Sequence, residues 1–174
     1  MTSQVNFDNW QRTSGATVAT VLQVKHKIFR DTWSQAIANG STWYDTPLQC
    51  SITLTSETSK VLVMVSVHLG TSYWEVQGRL VRNNAPIGIG DAAGSRSRCG
   101  FAHLKYDNGY DYYDVLPVKY NFLDAGMASP STYKVQLQGY STGTIHLNRS
   151  HSDQDAVDQM GRSVSTITLM EIAQ

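Results

Sequence analysis

Residues 50–69, CSITLTSETSKVLVMVSVHL, decide the fold. The first part alternates. Cys50, Ile52 and Leu54 fall on one side and Ser51, Thr53 and Thr55 on the other, which is the period of a half-buried strand. Ser56-Glu57-Thr58-Ser59 is a polar, turn-forming break. Residues 61–65 then run almost without polar relief, as a strand covered on both faces does. Val61, Val63, Val65 and Val67 share one face. Leu62, Met64, Ser66 and His68 share the other, which grows more polar towards its end. Valines at every second position count against a helix. The stretch predicts a hairpin whose second strand is central, with Cys50 as a small core residue.

The same texture continues in both directions. Strand patterns occur at 17–27, on either side of the Asn39-Gly40 turn signal, and at 74–84 and 98–105. They recur at 115–123, 133–140, 144–148 and 164–172. Pro47 opens the strand that carries Cys50. Ser141-Thr142-Gly143 predicts a tight turn that folds 144–148 back on 133–140. Residues 149–162 are polar and loop-like, and 153–160 could form at most one helical turn. About nine or ten short strands without a convincing helix predict an all-β chain. The expected architecture is an antiparallel β-sandwich of jelly-roll type. Residues 17–174 would form its single domain, and residues 1–16 an extended N-terminal arm. The arm has no periodic pattern but contains Phe7 and Trp10, which read as anchors for docking on a partner.

Composition narrows the function classes. The 174 residues suffice for one well-buried domain. Charged residues make up only 16%, against roughly 25% in typical soluble domains. Lys+Arg and Asp+Glu are 14 each, so no net charge argues for nucleic acid or an anionic membrane. Near-zero charge favours association, as in a subunit of an assembly. The N-terminus lacks a basic region followed by an apolar run, and no apolar run approaches the roughly 20 residues of a membrane span. Cys50 and Cys99 do not make a disulfide framework, and a bridge between them is left open.

Few motifs carry chemistry. His26, His68, His103 and His146 sit in strand patterns, and no histidine pair has metal-ligand spacing. Ser150-His151-Ser152-Asp153 has the residue types of a triad, but consecutive residues cannot converge as a triad does. Gly88, Gly90 and Gly94 miss the dinucleotide spacing, and no helix follows them. Asp153, Asp155 and Asp158 could hold a divalent ion but lack the glycine and terminal glutamate of a calcium loop. No cofactor, catalytic residue or metal ligand is expected. The 106–114 loop is the one binding-like surface. Tyr106, Tyr110, Tyr112 and Tyr113 offer large contact area at low entropy cost, for a sugar or a subunit boundary.

The strings TSETSKVLVMVSVHLG, GRLVRNNAPIGIGDAAGSRSRCGFA, TYKVQLQG, TIHLNRS and STITLMEI resemble a bacteriophage module found at the distal end of tail fibres and tailspikes, notably in cyanophages. VLQVKH, RDTWS and WYDTPLQCSITL fall in the same order, so the resemblance spans about residues 17–174. It implies a trimeric β-sandwich of the kind also used by capsid cement proteins. A start at Met1 that reaches the module within the short arm suits a stand-alone cement protein better than a fibre. The resemblance thus implies a non-enzymatic homotrimer bound to the major capsid protein on the outside of a phage head, made in the host cytoplasm. The alternative it implies is a receptor-binding fibre tip that recognises host surface glycans. A glycan-degrading enzyme would need two placed carboxylates, and nothing singles out Asp111 and Asp114.

Overall fold

A computed structural model describes residues 20–72, 75–104, 113–125, 130–139, 141–155 and 161–173. The strands are β1 (Val21–Phe29), β2 (Trp33–Ile37), β3 (Tyr44–Ile52), β4 (Lys60–Thr71), β5 (Glu75–Arg82) and β6 (Ala85–Ile87). They continue as β7 (Phe101–Leu104), β8 (Leu116–Asp124), β9 (Ser131–Gly139), β10 (Gly143–Leu147) and β11 (Ser165–Ile172). Five antiparallel pairs are nested from the chain ends inward: β1 with β11, β2 with β10, β3 with β9, β4 with β8 and β5 with β7. The pairs β4·β11 and β5·β9 join them into two layers, β1-β11-β4-β8 and β3-β9-β5-β7. This is a jelly-roll sandwich, the class the sequence predicts. β10 and β2 extend the first layer along the far end of β4, making six strands. β6 adds a fifth strand to the second layer.

Two expected hairpins do not exist. β3 and β4 belong to different sheets, so Ser56–Ser59 arches across the sandwich instead of closing an edge-to-edge pair. β10 likewise leaves the sheet of β9 and pairs with β2 and β4. An apolar face can be buried against a neighbouring strand's face as well as beside its edge, and alternation does not distinguish the two. Among the described residues the one tight hairpin is β5–β6, where Asn83 and Asn84 take φ of 48° and 69°. Positive φ at both turn residues matches the twist of the flanking strands. Pro47 lies inside β3, where the register shifts between Asp45 and Gln49, a position that tolerates the missing N–H.

β4 is central, with β8 on one edge and β11 then β10 on the other. It is not covered equally on its two faces. Val61, Val63, Val65, Val67 and Leu69 are buried, whereas Leu62, Met64, Ser66 and His68 are half-buried. The inner row meets Leu48, Ile52, Val76, Leu80, Tyr133, Val135 and Leu137 of the other sheet in one core. Cys50 is half-buried at the margin of this core, and it and Cys99 are free thiols. Phe101 lies over Gly78, its cross-strand partner; a Cβ there would come within 2.0 Å of the ring.

Buried polar groups tie strands within a sheet, and one ties the two layers. Asn148, fully buried at φ 62°, sits where the edge of β4 passes from β11 to β10. Its Nδ2 donates to the carbonyls of Phe29 and Asp31, both at 2.8 Å. Its Oδ1 accepts from Ser165 Oγ at 2.7 Å, and its own N–H donates to His68 O at 3.0 Å. Glu171 points inward at the other end of β11 and fixes the arch. Its Oε1 accepts the Thr55 N–H and hydroxyl, each at 2.9 Å, and Gln23 Nε2 donates to Oε2 at 2.6 Å. Burial alone would raise its pKa, but these donors outweigh it and hold the carboxyl at about 2. Asp124 Oδ2 accepts from Arg82 at 2.8 Å and from Tyr133 OH at 2.9 Å, joining β8 to the opposite sheet. Burial, then the Asp124 charge, pushes the Tyr133 hydroxyl far above its usual range.

Candidate functional site

The strand register assembles an apolar row on the outer face of the six-stranded sheet. Val24 pairs with Met170, Met170 with Leu62, and Leu62 with Leu123. Directly opposite residues of an antiparallel pair share a face, so four strands contribute one side chain each. The outermost members, Val24 and Leu123, are 50% and 51% exposed. Met64 adjoins the row from β4, and Val21 with Ile172 flanks it beyond a bulge at Leu22. Across four strands at about 4.8 Å spacing, the row is roughly 14 Å wide. It lies on the flank of the sandwich away from the shared core.

Two edge strands of this sheet, β8 and β1, are defended against further pairing, whereas the third, β2, carries neither lysine nor proline. β8 carries Pro117 and Lys119, and β1 carries Lys25, Lys27 and its bulge. Lysine, proline and bulges on edge strands oppose strand addition. Along β1 and β8 the geometry therefore suits association through the face rather than through the edge.

Of the residues the sequence singled out, Phe7, Trp10, Tyr106, Tyr110 and Tyr112 lie outside the described residues. Tyr113 is exposed, shortly before β8. Asp153 is engaged by arginines rather than poised for a divalent ion. Arg149 lies 3.2 Å away and Arg162 also pairs with it. The hydrogen bond from Arg162 holds its carboxyl below the usual range. Among the described residues no group of three or more His, Cys, Asp or Glu could hold a metal ion. Gly88 has φ 56° and is crowded by the rings of Tyr120 and Phe122, so it serves packing.

Sequence reading missed one cluster. His146 Nδ1 is 2.7 Å from Ser34 Oγ and its Nε2 is 3.1 Å from His151 Nδ1. The loop after β10 brings His151 back over its own strand. Burial, then the nearby charges of Arg149 and His151, depresses the His146 pKa to about 4. A base of that pKa is a weak proton acceptor for Ser34 at neutral pH. The cluster reads as a polar brace for the loop, buried only at His146. The apolar row was equally invisible in the sequence, because its members are far apart along the chain.

No protein-family model matches the sequence, and no curated protein matches it. Among solved structures, infectious bursal virus derived T=1 particles align at a TM-score of 0.45 and 9% identity, covering 98% of this chain and 44% of that one. The infectious bursal disease virus VP2 subviral particle aligns at 0.42 and 9%, covering 98% and 45%. The chain spans less than half the length of these capsid chains. A likeness this distant carries no function across; the jelly-roll assignment stands on the strand pairing itself.

Proposed function

We propose that the chain is a non-enzymatic structural subunit of a virion: a homotrimeric cement protein docked on the major capsid protein at the outer surface of a phage head. The observation that carries this reading is the apolar row Val24–Met170–Leu62–Leu123, an outward sheet face that a neighbouring subunit would cover. The resemblance to phage trimeric modules points the same way, and jelly rolls are a recurrent capsid architecture. In this reading three copies meet through the outer faces of their six-stranded sheets. Phe7 and Trp10 of each arm anchor the trimer to the shell, because an extended arm gives much contact per residue. Several such contacts per trimer add by avidity.

Light scattering tests the assembly. The expected mass is three times 19.3 kDa. Leu123→Glu places a charge on an exposed member of the row and should shift the mass towards the monomer without loss of fold. A wild-type mass of 19.3 kDa would refute the trimer. Deleting residues 2–15 tests the arm separately. Co-sedimentation with particles lacking the protein should be lost while the trimer persists; retained binding would move the contact to the sandwich loops.

A further inference from the structure

We propose that residues 90–98 are a processing site for an arginine-specific protease, and that the chain cut there persists as a two-chain subunit with interleaved halves. These nine residues, GDAAGSRSR, are all exposed and belong to no strand. A protease takes its substrate as an extended segment, so it needs consecutive residues whose backbone is not held in a ladder. The loop is braced mainly from within. Arg96 N–H donates to Ala93 O at 3.3 Å, and Arg98 Nε donates to Gly90 O at 2.7 Å. Among the described residues, the one hydrogen bond that ties it to a strand runs from Gln138 Nε2 to Ser97 Oγ at 3.1 Å. No described carboxylate pairs with Arg96 or Arg98, so either guanidinium can enter an acidic specificity pocket. Hydrolysis adds water across the Arg96–Ser97 or Arg98–Cys99 peptide bond. The C–N bond breaks, a C–O bond forms, and a carboxylate on the arginine faces a new ammonium group. The other arginines are worse placed. Arg79 and Arg82 lie in β5, and Arg149 and Arg162 are both paired with Asp153. Arg30 sits in the short link between β1 and β2, where Asn148 holds the carbonyls on either side of it.

The strand pairing decides what such a cut does. It puts β1–β6 on one fragment and β7–β11 on the other. Every ladder except β5·β6 joins a strand of one fragment to a strand of the other. The fragments alternate along both layers, β1-β11-β4-β8 and β3-β9-β5-β7. The core is shared in the same way, with Val63 and Leu80 from one side of the cut and Leu137 and Leu169 from the other. Separation would expose that whole core, whereas the cut itself breaks no ladder. Fraying is stopped at the base of the loop. Gly90 N–H donates to Cys99 O at 3.0 Å, Gly100 N–H to Gly78 O at 2.9 Å, and Tyr120 OH to Gly88 O. Apart, the fragment β1–β6 would keep only the β5·β6 ladder and β7–β11 none, so folding and association of the halves become one event. The apolar row also draws on both halves, Val24 and Leu62 with Met170 and Leu123, and stays whole. The inference holds for a monomer or a trimer, so it and the cement reading can fail separately.

The test is limited digestion of the full chain with an arginine-specific protease, followed by gel filtration without denaturant and mass spectrometry with it. The first cut beyond the arm should fall after Arg96 or Arg98. The cut protein should elute with the uncut protein and keep its far-ultraviolet circular dichroism, while denaturant resolves two fragments. Its melting temperature should fall, because the loop no longer closes the chain, and should depend more steeply on protein concentration than that of the uncut chain. The double variant Arg96→Gln/Arg98→Gln should lose the cut and keep the uncut melting temperature. A first cut after Arg30, Arg149 or Arg162 would overturn the site. So would a loop left whole by protease that digests the unfolded chain. Fragments that separate or unfold on cutting would overturn the interleaved subunit.

Discussion

Replacing Asn148 by Ala should bring the chain close to unfolding. The side chain is fully buried and makes three hydrogen bonds that alanine cannot. The Ser165 hydroxyl loses its acceptor in a buried setting, which costs about 1–3 kcal/mol. The carbonyls of Phe29 and Asp31 are partly reachable by water, so each lost bond costs nearer 1 kcal/mol. Asn148 also holds φ at 62°, where alanine is worse by about 1 kcal/mol. The total is about 4–6 kcal/mol, a large part of the roughly 5–15 kcal/mol that stabilises a domain. At about 2–4 °C per kcal/mol for a chain of this size, the melting temperature should fall by roughly 10–20 °C. Scanning calorimetry on three variants separates the terms. Asn148→Gly removes the φ penalty and should recover about 1 kcal/mol relative to Ala. Asn148→Asp keeps an acceptor for Ser165 but sets a carboxylate against two carbonyls, so it should be no better than Ala. A drop below about 3 °C for Asn148→Ala would show that the two halves of this sheet edge are held by backbone pairing alone.

The other predictions follow from single groups. His146 has a folded pKa near 4 against about 6.5 unfolded. The unfolded chain therefore takes up the proton first, and stability should fall as pH drops from about 6.5 to 4; His146→Gln should flatten the melting-temperature profile in that window. Glu171 has a folded pKa near 2 against about 4.3 unfolded. Its contribution is complete above the unfolded value and is lost as pH falls towards 2, so Glu171→Gln should weaken the fold at neutral pH and remove the slope between about pH 4.5 and 2. Val63→Asp puts a carboxylate without a partner into the fully buried row of β4 and should abolish cooperative unfolding; a melt near the wild-type temperature would contradict that. Gly78→Ala drives a methyl into the Phe101 ring, and should cost about 1–3 kcal/mol by chemical denaturation; a neutral result would mean the ring has another place to go.

The sequence by itself determined the local structure and the inner face. Alternation at 61–67, 133–137 and 167–169 marks the residues that become core, because period two along a strand is a local property that burial on one side imposes. The absence of an amphipathic helix and the count of short strands were enough for a sandwich. The turn at Asn83-Asn84 is local in the same way, since the geometry it needs is contained in two residues. Tertiary structure alone decided which strands meet. Residues 50–69 look like a hairpin, yet their strands face each other across the core, because the arch pinned by Glu171 competes with an edge-to-edge turn and involves a residue more than a hundred positions away. The same holds for the candidate surface. Val24, Leu62, Leu123 and Met170 are unremarkable one by one and form a row only once the nested register sets them side by side. Periodicity records which side of a strand is buried; which edges lie together depends on the burial and hydrogen-bonding balance of the whole chain, and no short window contains it.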